Sequence, residues 1–419
     1  MKKLRAFISV LGPGILWATV AIGETHLALL PYAGALFGMS VLWAVLLVHV
    51  LYYPNFEYGP RYAVATGDSL LDGYGRTRLG KGVYWFFLVL MFVTPPLLMA
   101  SLLGMTGSAL YAGIPSVGFE WWCLVVFLLT LAVVVSRRYK VVERIAKLLT
   151  MVIVVIAIFA FATSPPSPGA AARGLVPDIM LSSAFMLVLV AVLRMPTDPT
   201  ISIFLSKWAQ EKRSEWGDAP EERLSALKKS LTDIRTGFAI SFLVALVFLS
   251  MGAVVLKPRG VVPEGIDVSV RLAEIYTASF GAWIFPVFIL AALAAFWGTY
   301  ISAMDGMLRL FGNLIERLFN PRPRSVRIAE TVYVVLVALV GLLMATVIKR
   351  PVALVLLAVS MGLLYYPLIF GLNIHCVTRQ VEPAFRPGKL NLAVAFCGLF
   401  LGISALVLLI LVRVVKVFG

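Results

Sequence analysis

Charge is what this chain has least of. Only 14% of its 419 residues are Asp, Glu, Lys or Arg, against roughly 25% in soluble globular proteins. Histidine and cysteine number three each. Cys123, Cys376 and Cys397 lie in or beside apolar segments without CxxC spacing, which excludes a disulfide framework and a zinc ribbon. No nucleophile elbow, phosphate loop or paired-carboxylate motif is present. Enzyme chemistry therefore has no carrier, and no cofactor is expected. The excess of 36 Lys+Arg over 21 Asp+Glu sits in short loops between apolar runs and not on an aromatic-interleaved basic face, so no nucleic-acid partner is implied.

What is there is hydrocarbon. The composition is 61% hydrophobic with a mean hydropathy of +0.95, and apolar runs of twenty or more residues recur along the chain. Each such run, as a helix rising about 1.5 Å per residue, crosses a hydrocarbon core of roughly 30 Å. The runs are continuous and do not alternate in polarity, which excludes a membrane β-barrel. Hydropathy and breaks predict eleven spans, at 11–37, 39–65, 83–112, 117–136, 142–163, 179–206, 232–256, 281–306, 327–348, 351–374 and 390–415. The fold class is all-α polytopic membrane protein, with the lipid bilayer as partner. Basic residues number 26 on the side of the N-terminus and 8 on the other. The positive-inside bias then puts the N-terminus in the cytoplasm and the C-terminus outside a bacterial-type plasma (inner) membrane. The hydrophilic stretch 207–235 is expected to be a short amphipathic helix linking spans six and seven.

Two spans carry polar breaks. Span one holds Gly23-Glu24-Thr25-His26 in mid-run, and span six holds Arg194-Met195-Pro196-Thr197-Asp198-Pro199. An acidic residue at mid-span costs roughly 2.5–3.5 kcal/mol on insertion scales, so it persists only facing protein or water. Glycine and proline at both places predict unwound turns whose freed backbone groups line a cavity. One and six open successive groups of five spans, and matched interruptions mark a site between inverted repeats. The organisation expected is a first repeat at 1–163, a second at 164–376 including the 207–235 connector, and an extra helix at 377–419.

Gly12-Pro13-Gly14, Ala33-Gly34-Ala35-Leu36-Phe37-Gly38, Arg61 with Ala65-Thr66-Gly67, Gly113-Ile114-Pro115 and Met195-Pro196 resemble the Nramp family of metal-ion transporters. That resemblance implies a LeuT-type 5+5 fold with discontinuous helices one and six. In the family the span-one break reads Asp-Pro-Gly-Asn and supplies a carboxylate and an amide to a transition metal; here Gly23 stands at the aspartate position and His26 at the asparagine position. Met195 matches the family's span-six methionine, and Thr197 replaces the histidine after it. The span-three acids of the proton path fall at Leu98 and Ser101, and the span-ten glutamine at about Tyr365. The family's usual proton route is therefore expected to be missing.

Two readings of the breaks follow. Glu24, His26 and Met195, as carboxylate, imidazole and thioether, form a metal site for Mn, Fe, Zn or Cu. Alternatively Arg194 holds a carboxylate while Glu24 or Asp198 takes an amine, and the substrate is a small organic or zwitterionic solute. A third reading has Arg194 paired with Glu24 or Asp198 as a structural bridge. The substrate-binding set is Gly23, Glu24, Thr25, His26, Val192, Arg194, Met195, Thr197, Asp198 and Tyr365. Thr299 and Ser302 of span eight are candidate sodium ligands, with hydroxyls bonded back into their own helix as the plainer alternative. Thr94-Pro95-Pro96 reads as a packing kink, Glu57–Arg61 and Asp305–Arg309 as intrahelical pairs, and His49 and His375 as lone histidines. The function expected is a secondary transporter of a divalent metal ion, with an organic-solute transporter or a non-transporting receptor as the alternatives.

Overall fold

The computed structural model describes residues 22–136, 154–217 and 219–415, and every regular element among them is helical. Gly12-Pro13-Gly14 and most of span five lie outside the described residues. The described spans coincide with helices: Leu30–Phe37 after a π-helical turn Thr25–Leu29 (one), Leu42–Thr66 (two), Lys81–Val93 with Pro95–Gly113 (three), Phe119–Val135 (four) and Val154–Thr163 (five). Span six is Ser183–Val192 with Ile201–Glu211, and seven is Pro220–Met251 with a π-turn Gly252–Leu256. Ile284–Phe319, Pro323–Ile348, Pro351–Met361 with Tyr366–Arg379, and Lys389–Ile410 are spans eight to eleven. Five of these described spans, three, seven, eight, nine and eleven, are long and apolar enough to cross a bilayer. The exposed side chains of nine and eleven, such as Leu343, Val347, Phe396 and Phe400, are apolar and face where lipid would be.

Span six is broken as expected, and in span one the described helix begins at Glu24, directly after Gly23. Pro196 and Pro199 have no N–H to return to the preceding turn, so span six stops at Val192 and restarts at Ile201. Span three parts at Thr94, between Val93 and Pro95. Span ten is also broken, by 45°, which its apolar run conceals. A 3-10 turn Gly362–Leu364 ends its first half, and Pro367 lies in the first turn of the second.

The connector differs from expectation. Span six runs on to Glu211, and Glu221, Glu222 and Lys228 belong to the first turns of the helix that becomes span seven. Pro220 at its first position, a Glu222 carboxylate accepting from the Ala219 N–H at 3.2 Å and acidic residues at the positive helix end start it there. Spans one and seven meet backbone to backbone. A Cβ on Gly34 would lie 2.3 Å from the Leu249 carbonyl oxygen, and one on Gly252 would lie 2.3 Å from that of Pro31. Glycine is the side chain this contact admits. On the same side, Ser108 of span three meets Ser269 of the helix Val268–Phe280 at 3.0 Å.

Candidate functional site

A cavity of about 510 Å³ lies between spans one, three, six, eight and ten. Gly23, Glu24 and Thr25 form its wall at one break, and Arg194, Thr197 and Asp198 at the other. Thr94 and Pro95 at the span-three kink, Thr299 and Ser302 of span eight and Tyr365 of span ten complete it. It reaches Glu211 and Arg309, both exposed, and so opens at the face that carries the 212–219 connector.

At the first break Glu24 precedes the π-turn, and its carboxylate accepts a hydrogen bond from Ser101 Oγ at 2.7 Å. Ser101 Oγ is also 2.9 Å from the Leu98 carbonyl. A hydroxyl carries one proton, so it serves one of these acceptors at a time. His26 lies two residues on and faces the opposite way, as residues two apart on a helix do. Its Nε2 is 3.0 Å from Ser241 Oγ of span seven, and the Nε2 of His49 in span two is 3.0 Å from the same oxygen. His49 Nδ1 donates to the Val45 carbonyl at 2.7 Å. His49, expected to be alone, is thus the end of a buried three-residue chain behind the break.

At the second break Asp198 gathers the donors. Arg194 Nη2 reaches its Oδ2 at 2.6 Å, the Tyr365 hydroxyl donates to that same oxygen, and Oδ1 accepts from the Thr200 N–H at 2.9 Å and the Thr200 hydroxyl at 2.5 Å. Asp198 therefore balances the guanidinium and satisfies an amide at the start of the restarted helix. The carbonyls freed by the break are satisfied as well. Tyr52 donates to Leu193 at 2.9 Å, and the Tyr366 hydroxyl lies 3.2 Å from the carbonyls of both Arg194 and Thr197. Arg194 packs onto Gly362, where a Cβ would meet its Nε at 2.6 Å.

Met195 and Val192 are fully buried in the hydrophobic core, and neither they nor His26 are among the residues that line the cavity. Of the expected metal triad, the structure brings Glu24 to the cavity and leaves His26 and Met195 behind it. No group of three or more His, Cys, Asp or Glu side chains arranged to hold a metal occurs among the described residues. Thr299 and Ser302 do face the cavity, with the Thr299 hydroxyl bonded back to Ala295 at 2.8 Å. The pairs Glu57–Arg61 and Asp305–Arg309 are present, at 2.8 and 2.6 Å. Ser241, Tyr52 and Tyr366 were not anticipated. Only the run Tyr365-Tyr366-Pro367 carried a signal, an aromatic pair before a helix-breaking proline.

The family model described as natural resistance-associated macrophage protein-like matches residues 14–413. The chain belongs to the Nramp family. Nramp proteins are membrane transporters and not enzymes, and this Nramp protein is a multi-pass membrane protein. An uncharacterised protein of Pasteurella multocida is 26% identical over 319 residues, covering 72% of this chain and 69% of that one. Among solved structures, the Eremococcus coleocola manganese transporter, in complex with an aromatic bis-isothiourea substituted compound, superposes with a TM-score of 0.70. The alignment covers 97% of this chain and 86% of that one at 15% identity. Mhp1, a nucleobase-cation-symport-1 family transporter in a closed conformation, gives 0.56 at 12% identity, over 97% and 91% of the two chains. The fold is the LeuT type, with helix six discontinuous as expected and helix one described from Glu24 onward.

Proposed function

We propose that this Nramp protein moves a divalent metal cation by alternating access, with the ion held between the breaks of spans one and six and Glu24 as its anionic ligand. The observation that carries the reading is the charge balance at the breaks. Asp198 is paired with Arg194, while Glu24 faces the cavity with no cationic partner among the described residues. Arg194 would oppose a dication if it were free; bonded to Asp198, its charge is offset. The organic-solute reading loses its anchor by the same bond. Resemblance to a manganese transporter in fold supports the choice of cation class.

In this reading the chain divides into two five-span repeats, 1–163 and 164–376, and 377–419 adds a further helix. The excess of basic residues on the face where the cavity opens makes that face cytoplasmic, the N-terminus inside, the C-terminus outside and the conformation inward-facing. Toward the opposite face spans one and seven pack backbone to backbone at Gly34 and Gly252. Leu98 and Ser101 supply no carboxylate, so protons do not follow the family's span-three route. Uptake of Mn²⁺ into proteoliposomes, wild type against Glu24→Gln, tests the reading. Wild-type uptake lost in the variant supports it, and uptake by both alike overturns it.

A further inference from the structure

Resting on that reading, we infer that the ion site is built from oxygen alone and selects hard dications of the Mn²⁺ and Mg²⁺ class without the sulfur-based preference for Cd²⁺ or Zn²⁺. Ligand softness decides such preferences: carboxylate, carbonyl, hydroxyl and water suit Mg²⁺, Ca²⁺ and Mn²⁺, imidazole suits Zn²⁺ and Cu²⁺, and thioether suits softer ions still. At the breaks the cavity wall offers the carboxylates of Glu24 and Asp198 and the hydroxyls of Thr25 and Thr197. The two soft donors that the breaks carry in sequence point elsewhere.

Met195 is fully buried in the apolar core, away from the cavity. His26 is held by a directed chain. His49 Nδ1 faces a carbonyl, which is only an acceptor, so that nitrogen carries the hydrogen and His49 Nε2 accepts. Ser241 then donates to His49 and accepts from His26 Nε2–H. Ser241 of span seven, itself fixed by His49 of span two, thereby holds the imidazole at the back of the break. The cavity's methionines, Met91 and Met307, are not at the breaks of spans one and six: Met91 precedes the span-three kink at Thr94, and Met307 is two residues from the exposed Arg309 at the mouth. The buried Cys123 and Cys376 are not in the cavity wall.

The experiment is competition of Mn²⁺ uptake in proteoliposomes by Mg²⁺, Ca²⁺, Zn²⁺ and Cd²⁺, for wild type and Met195→Leu. Leucine conserves the buried volume, so the variant retains the fold. The expected result is that Cd²⁺ competes no more than about tenfold better than Mg²⁺, and that Met195→Leu leaves that ratio unchanged; about tenfold is the low end for losing a group that serves a metal site. A stronger wild-type preference for Cd²⁺ or Zn²⁺, or a ratio that falls about tenfold or more in Met195→Leu, overturns the inference while leaving metal transport standing. No Mn²⁺ uptake by the wild type overturns the transport reading and this inference with it.

Discussion

Glu24→Gln isolates the charge on which the transport account depends. The amide has nearly the shape of the carboxylate, and its oxygen can still accept the 2.7 Å hydrogen bond from Ser101, so the break keeps its packing and loses one negative charge. Two unit charges about 4 Å apart attract by about 4 kcal/mol at an effective dielectric of about 20, and a dication doubles this. Stripping water from ion and carboxylate returns most of that attraction. The net loss expected for a direct ligand is no smaller than that of an outer-shell partner, about 10- to 100-fold in affinity, or at least about 1.4 to 2.8 kcal/mol. The assay is initial Mn²⁺ uptake against concentration, with calorimetric Mn²⁺ affinity alongside and thermal unfolding to show the fold intact. Ser101→Ala, which removes the hydroxyl shared between the carboxylate and the Leu98 carbonyl and leaves the charge in place, should cost less than Glu24→Gln. An affinity for Glu24→Gln within about threefold of wild type would refute the reasoning, because no other carboxylate at the breaks is without a cationic partner.

Removing Arg194 should destabilise rather than deregulate. Arg194→Ala leaves Asp198 without its countercharge and should cost about 3 kcal/mol, read as a fall in unfolding temperature that Arg194→Met with Asp198→Asn largely restores. Ser241→Ala deletes the oxygen shared by two buried imidazoles and should cost about 1–3 kcal/mol, whereas Ser241→Thr, which keeps a hydroxyl, should cost less in the same melt. Gly252→Val places a side chain against the Pro31 carbonyl; overpacking there should cost about 1–3 kcal/mol, read as a fall in unfolding temperature. Asp72, in the connector between spans two and three, is raised by burial but held below its ordinary range overall by Ser69 and the Arg317 guanidinium. Its contribution is therefore complete above the usual value of 3.8 and lost as pH falls below it. Asp72→Asn should lower the unfolding temperature at neutral pH, and the difference from wild type should shrink in acid.

The spans and the two principal breaks were legible because the bilayer leaves few solutions. A twenty-residue apolar run must be helical, and a carboxylate or a Pro-x-x-Pro within it must be satisfied by protein or cavity. Arg194 and Asp198 are four apart, so their bond was one of the pairings the spacing allowed. The chain behind the first break was illegible for the opposite reason. His26 and Ser241 are 215 residues apart, and nothing in either segment names the other. The break in span ten hides inside an apolar run, because Gly362 and Pro367 interrupt hydrogen bonding without interrupting hydropathy. The start of span seven was misread as a separate helix because its first turns are charged, which marks where the chain leaves the membrane and not where the helix ends.

The most direct test of the account is the position of the ion. Crystals grown or soaked with Mn²⁺ and measured for its anomalous scattering should show a peak between the two breaks, bonded to a Glu24 carboxylate oxygen, with Arg194 still on Asp198. A peak at the Met195 sulfur or at His26, or Arg194 turned into the cavity with no ion beside Glu24, would contradict it.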